Sequence, residues 1–173
     1  MNQGTKIHLL ITGGTIDSFY NGIKDTVECL EHSVIPDYLK SIKMPFEIET
    51  TEICMKDSRQ ITNKDRESLL EKISNSKAEN ILITHGTYTL PDTARYLEAN
   101  MERKDRKIIL TGSMIPLPGF SPSDAGFNLG FAIASFQNIQ SGVYVAMNGR
   151  LLKANEAIKL ISEGKFDSVF NKN

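Results

Sequence analysis

Neither sign of charge prevails in this sequence: 20 Lys and Arg stand against 21 Asp and Glu, leaving a formal charge of -1 over 173 residues. A chain so balanced has no electrostatic footprint for a phosphate backbone or an anionic membrane surface, which sets aside nucleic acid and membrane as partners. Long apolar runs are missing as well. The start, MNQGTKIHLLITGG, strings together only a few apolar residues and has no small-residue cleavage site, so it reads as a strand rather than a signal peptide. The expected location is therefore the cytoplasm. Cysteine is scarce: Cys29 and Cys54 stand far apart with no CxxC or Cys/His ligand spacing, and each is expected to be a buried, reduced thiol without a function of its own.

Nucleotide-binding loops are absent too. TGGTID lacks the third glycine of a dinucleotide loop and no acidic ribose partner follows it at the right distance, while GxxxxGK[ST] does not occur. His8, His32 and His85 sit in no GxSxG or HExxH context, so neither a Ser-His-Asp triad nor a zinc site is expected. His8 falls within a strand pattern, where a satisfied core imidazole is the ordinary explanation. No cofactor and no metal are expected, and no repeat, linker or low-complexity tract divides the chain.

The length fits one domain, here residues 1–173, able to bury most of its apolar surface without staples or metals. Short β-rich runs supply the strands: KIHLLI at residues 6–11, FEIETTEICM at 46–55, NILIT at 80–84, KIIL at 107–110 and GVYVAM at 142–147. Between them lie helix signals. Thr62 with Asp65, and Thr89 with Asp92, have capping-box spacing ahead of TNKDRESLLEKI and TLPDTARYLEA. Pro36 should break or kink residues 27–42, and residues 125–136 form an apolar helix after PLPGFSPSD. Strands spaced by helices predict an α/β fold, a mostly parallel sheet with helices on both faces.

Each strand runs into a small-residue or polar loop: TGGT, KDSRQ, THGT, TGSM and MNGR. In an open parallel sheet the ligand crevice lies beyond the carboxyl ends of the strands, so Thr12, Thr15, Ser58, Thr84, Thr87 and Ser113 could share one hydroxyl-rich pocket. Gly13 and Gly14 permit a tight turn that sets the Thr15 hydroxyl at a rim of backbone N–H groups. Taken singly, TGGT and HGT are also ordinary turns and caps.

In combination they are specific. LLITGGTID, ILITHGTYT, LTGSMIP with SDAGFNL downstream, and YVAMNGR occur in this order, and the chain resembles the bacterial-type L-asparaginase family from about Lys6 to past Lys159. Family members carry a second, C-terminal domain that this sequence lacks, so the resemblance is to an N-terminal domain alone. It implies an amidohydrolase in which Thr15 attacks the side-chain amide carbon, forms an acyl-enzyme and releases ammonia before water cleaves the ester. Tyr20 matches the mobile-loop tyrosine that helps deprotonate the nucleophile, an aromatic loop anchor being the plainer reading. Thr87 matches the second catalytic threonine and Lys159 the lysine beside it, with Lys153 as a competing candidate.

The same resemblance implies substrate-binding roles for Gly14, Ser58, Arg59, Gly86 and Tyr88. Ser58 corresponds to the group that holds the substrate α-carboxylate. Arg59 stands where an uncharged polar residue is usual, and is either a carboxylate partner or a surface charge. The family's HGTDT reads HGTYT here: Tyr88 replaces the aspartate that receives the α-ammonium, so Asp17, Asp57 or an acid from a partner subunit would have to take its place. The expected partner is a small amino-acid amide, L-asparagine, L-glutamine or a relative, and a homo-oligomer is implied. A non-catalytic amino-acid-binding module and an amidotransferase subunit remain the alternatives.

Overall fold

The computed structural model describes residues 6–171; residues 1–5, on which part of the leader reading rests, lie outside the described residues. Strand β1 (Lys6–Gly13) is fully buried along most of its length and pairs in parallel with β4 (Glu47–Lys56) on one side and β5 (Asn80–Thr84) on the other. From β5 the sheet continues through β6 (Lys107–Thr111) to β7 (Gly142–Met147), all parallel, and ends with antiparallel β8 (Arg150–Lys153). The order β4-β1-β5-β6-β7-β8 makes an α/β sheet that is parallel except at one edge.

Buried parallel strands read as near-continuous apolar runs because both faces are covered. Here Leu10, Ile81, Ile83, Ile108 and Leu110 face one layer, which contains α2 (Asn63–Asn75) and α3 (Leu90–Asn100). Their neighbours Leu9, Ile11, Leu82 and Ile109 face the other, which contains α1 (Ile35–Ser41) and α4 (Ala125–Ser135). Burying each such side chain contributes about 1.5–3 kcal/mol, so the central sheet sets the frame on which everything else hangs.

The two capping-box readings part company. Thr62 accepts from Asp65 N–H and the Asp65 carboxylate accepts from Thr62 N–H, completing the box at α2. Thr89 makes no side-chain cap at α3; its hydroxyl donates instead to the Ser58 carbonyl at 2.7 Å, a tertiary bond that outcompetes the local one. Pro36 does not interrupt a helix but lies in the first turn of α1, where its missing N–H costs nothing. Both cysteines are free and only half-buried, because Cys29 lies on an exposed hairpin and Cys54 on the edge strand.

Two small sheets had no counterpart in the expected strands. β2 (Ser18–Asn21) and β3 (Thr26–Cys29) form an antiparallel hairpin after β1, and β9 (Ala157–Leu160) pairs with β10 (Lys165–Ser168) after β8. His8, as expected of a core imidazole, is satisfied at both nitrogens, by Ser76 and Thr51 at 2.9 Å each.

Candidate active site

The sheet order reverses at β1: the chain leaves it toward β4 on one side and returns as β5 on the other. The crevice beyond the carboxyl ends of the strands at such a switch point is where open α/β sheets take ligands. The two segments that flank it here are residues 12–15 at the end of β1 and residues 85–89 after β5. Their backbones touch. A Cβ on Gly14 would fall 2.3 Å from Gly86 Cα, and one on Gly86 would fall 2.7 Å from Ser58 Cβ in the loop after β4. Gly14 also holds φ at 86°, a region that disfavours every other residue. Three strand-end loops therefore converge through two glycines, and side chains at either position would force them apart.

Of the six hydroxyls expected in one pocket, three belong to the scaffold beneath it. Thr12, Thr84 and Ser113 are fully buried; Thr12 donates to the Thr84 carbonyl at 2.9 Å and Ser113 to the Ile115 carbonyl at 2.6 Å. Thr15 lines an open cavity of about 880 Å³, together with Cys29, Asp57, Arg59, Gln60 and Pro116. Ser58 is buried against Gly86, its hydroxyl near the Thr89 N–H at 3.4 Å.

Thr87 follows Gly86 and is 5% exposed. Lys159, carried across from β9, donates to its Oγ1 at 2.6 Å; Lys153, the competing candidate, makes no such contact. Burial, then the Arg59 guanidinium, push the Lys159 ammonium below its ordinary range, and Asp57 opposes them. A lysine so placed yields its proton more readily and can then serve as a base.

Asp57 and Arg59 form a clamp with each other. The Asp57 carboxylate accepts from Arg59 N–H and Nε at 2.9 Å and from Nη2 at 3.2 Å, and Arg59 holds the Asp57 carboxyl below its usual value. The guanidinium also lies over the Tyr88 ring, 5.9 Å from its centroid. Tyr88 and Lys159 line a smaller cavity of about 200 Å³ beside the larger one, with Asp92 and Arg95. The Arg59–Tyr88 stack stands between the two.

Two expected participants sit elsewhere. Tyr20 is 53% exposed on β2; its hydroxyl donates to Asp25 at the hairpin turn, and it lines a separate hollow with Phe19, Pro118 and Phe120, not the cavity that Thr15 lines. Asp17 is fully buried beneath the loop, where both its oxygens accept from Ser33 and one from Val34 N–H. Burial pushes its carboxyl upward.

One contributor escaped the sequence reading. His85 is buried between the loop and α3, its Nδ1 donating to the Gly86 carbonyl at 2.8 Å and its Nε2 accepting from Thr93 at 3.0 Å. Burial lowers its pKa to about 4, which keeps it neutral and fixes that donor arrangement. Its place next to the glycine of HGT was the available signal. Among the described residues no cluster of His, Cys, Asp and Glu could hold a metal ion, and no helix is long and apolar enough to cross a membrane.

The family model described as asparaginase, N-terminal, matches residues 6–171. The glutaminase-asparaginase of Pseudomonas aeruginosa is 30% identical over 177 residues, covering 91% of this chain and 46% of that protein. The thermostable L-asparaginase of Thermococcus kodakarensis superposes with a TM-score of 0.81 at 30% identity, over 97% of this chain and 52% of that one. A probable cytoplasmic L-asparaginase from Campylobacter jejuni gives 0.81 at 28% identity, over 95% and 53%. The chain spans about half the length of the relatives it matches.

Proposed function

Since the chain belongs to the asparaginase family, we propose that it is an amidohydrolase that releases ammonia from L-asparagine, L-glutamine or a related small amide. The observation that carries this reading is the 2.6 Å bond from Lys159 to Thr87, on a loop whose glycine touches the glycine preceding Thr15. In the first half-reaction Thr15 Oγ attacks the amide carbon. Its proton leaves with the departing nitrogen, the C–N bond breaks, and an ester to Thr15 remains. In the second, water activated by the Thr87–Lys159 pair adds to the ester, and collapse returns the proton to Thr15 with release of the acid.

Tyr20 serves Thr15 in this reading after exchanging Asp25 for the nucleophile, a movement of the β2–β3 hairpin whose second strand already walls the cavity. Gly14, Ser58 and Gly86 hold the substrate through backbone groups and a hydroxyl, and Arg59 and Tyr88 border it. Ammonia release from pure protein incubated with small amides tests the reaction. Thr15→Ala and Thr87→Ala should each lower kcat by about a thousandfold or more. Near-normal turnover in Thr15→Ala would remove the acyl-enzyme.

The proposal extends to a homo-oligomer of closed symmetry in the cytoplasm. Exposed apolar side chains such as Phe127 at 60% and Phe170 at 71% support a self-association surface, and likeness to the probable cytoplasmic L-asparaginase of Campylobacter jejuni supports the location. Light scattering at micromolar concentration should give a multiple of the 19.3 kDa chain mass; a monomer would exclude the oligomer.

A further inference from the structure

The charges around Thr15 and Thr87 are unequal in a way that bears on what can bind between them. Two acids line the larger cavity, and both are engaged: Asp57 by Arg59, and Glu28 by Lys24 at 2.7 Å and Asn21 at 2.8 Å. Asp92, the acid on the smaller cavity, pairs with Arg95 at 3.1 Å. Asp17 is buried and saturated by Ser33 and Val34. One cation is not balanced in turn: Lys159 bonds a hydroxyl and has no acid within ion-pair distance among the described residues, whereas Arg59, lying over the Tyr88 ring, is spent on Asp57.

A substrate ammonium entering this crevice meets Lys159 and, among the described residues, only acids that already hold a cation or are saturated, Asp57 being held by Arg59. Burying an ammonium beside like charge, without a counter-ion, is costly, whereas a carboxylate gains. Resting on the amidohydrolase reading above, we infer that the site selects ω-amides of dicarboxylic acids that lack an α-ammonium, with Arg59 and Tyr88 as its specificity-determining pair. Succinamate differs from L-asparagine only in that ammonium and is the direct probe.

The test has two readouts. Ammonia release from succinamate and from L-asparagine gives kcat/KM for each, and thermal shifts with succinate and with L-aspartate report binding of the corresponding products without chemistry. Wild-type protein should favour succinamate by about tenfold or more, and succinate should raise Tm more than L-aspartate at equal concentration. Tyr88→Phe should keep that order, because the ring and not the hydroxyl covers Arg59, and Tyr88→Asp should reverse it by supplying the missing acid. Equal or greater preference for the amino-acid forms in wild type overturns the inference, as does stabilisation by neither product. If neither amide is hydrolysed yet succinate alone stabilises the fold, the hydrolytic reading falls and the selectivity stands.

Discussion

At the scale of single residues, the chemistry rests on how readily Lys159 gives up its proton. Its ammonium is destabilised first by burial and second by the Arg59 guanidinium, against a smaller opposing pull from Asp57. A base must be neutral to act, so turnover should rise with pH through the Lys159 ionisation. Arg59→Gln removes the repelling charge and also frees the Asp57 carboxylate, and both changes favour the ammonium. The rising limb of the kcat/KM profile should therefore move to higher pH, with activity at neutral pH reduced. A limb that stays in place would show that another group controls the profile. The pairing of Thr87 with Lys159, 72 positions apart, was offered by the family resemblance, whereas nothing in the sequence joined Arg59 to Tyr88, 29 positions apart on loops whose meeting is decided by the sheet.

Elements were legible to the extent that their burial was simple. Runs such as NILIT and KIIL announce themselves because a central parallel strand is covered on both faces. The β2–β3 hairpin is built from SFYN and TVEC, mostly polar and exposed, and offers neither an apolar run nor a clean alternation. The turn into β8 did carry a signal in Asn148-Gly149, both at positive φ, the pair a two-residue hairpin turn favours. Thr62 and Thr89 share one local pattern, and only the tertiary contact of Thr89 with Ser58 separates their fates.

His85 ties β5 to α3 in the same way, and its protonation should be felt as stability. Its folded pKa is lowered from 6.5 to about 4, so the neutral form is the native one. The contribution is complete above pH 6.5, where neither state binds the proton. It is lost as pH falls toward 4, where the unfolded chain takes a proton that the folded chain refuses. That interval corresponds to about 3 kcal/mol. His85→Asn, which retains a donor toward the Gly86 carbonyl, should flatten the decline in urea-unfolding free energy between pH 6.5 and 4 by about this amount relative to wild type. Comparing the two proteins cancels the surface carboxylates that titrate in the same range. Parallel curves would mean that the ring is reached by solvent or protonated in place.

For the whole molecule, the fold gathers four distant segments at one end of a sheet, and ligand binding should report on all of them together. The loops after β1, β4 and β5 touch through Gly14, Gly86 and Ser58; β9 joins them through Lys159, and α3 holds β9 through the Arg95 bond to the Ala157 carbonyl at 2.7 Å. A product that binds the native crevice stabilises the whole fold by mass action, about 2.7 kcal/mol at a hundredfold excess over its dissociation constant. For a chain of this size that is a rise in Tm of about 5–10 °C. Local opening of loops precedes global unfolding, so amide hydrogen exchange separates the two effects. With succinate bound, residues 13–15, 57–60, 85–89 and 157–160 should slow in concert and by similar factors, while the β2–β3 hairpin slows only if it closes over the ligand. Protection confined to residues 57–60 would mean a carboxylate held at Arg59 alone, outside any crevice shared with Thr15 and Thr87.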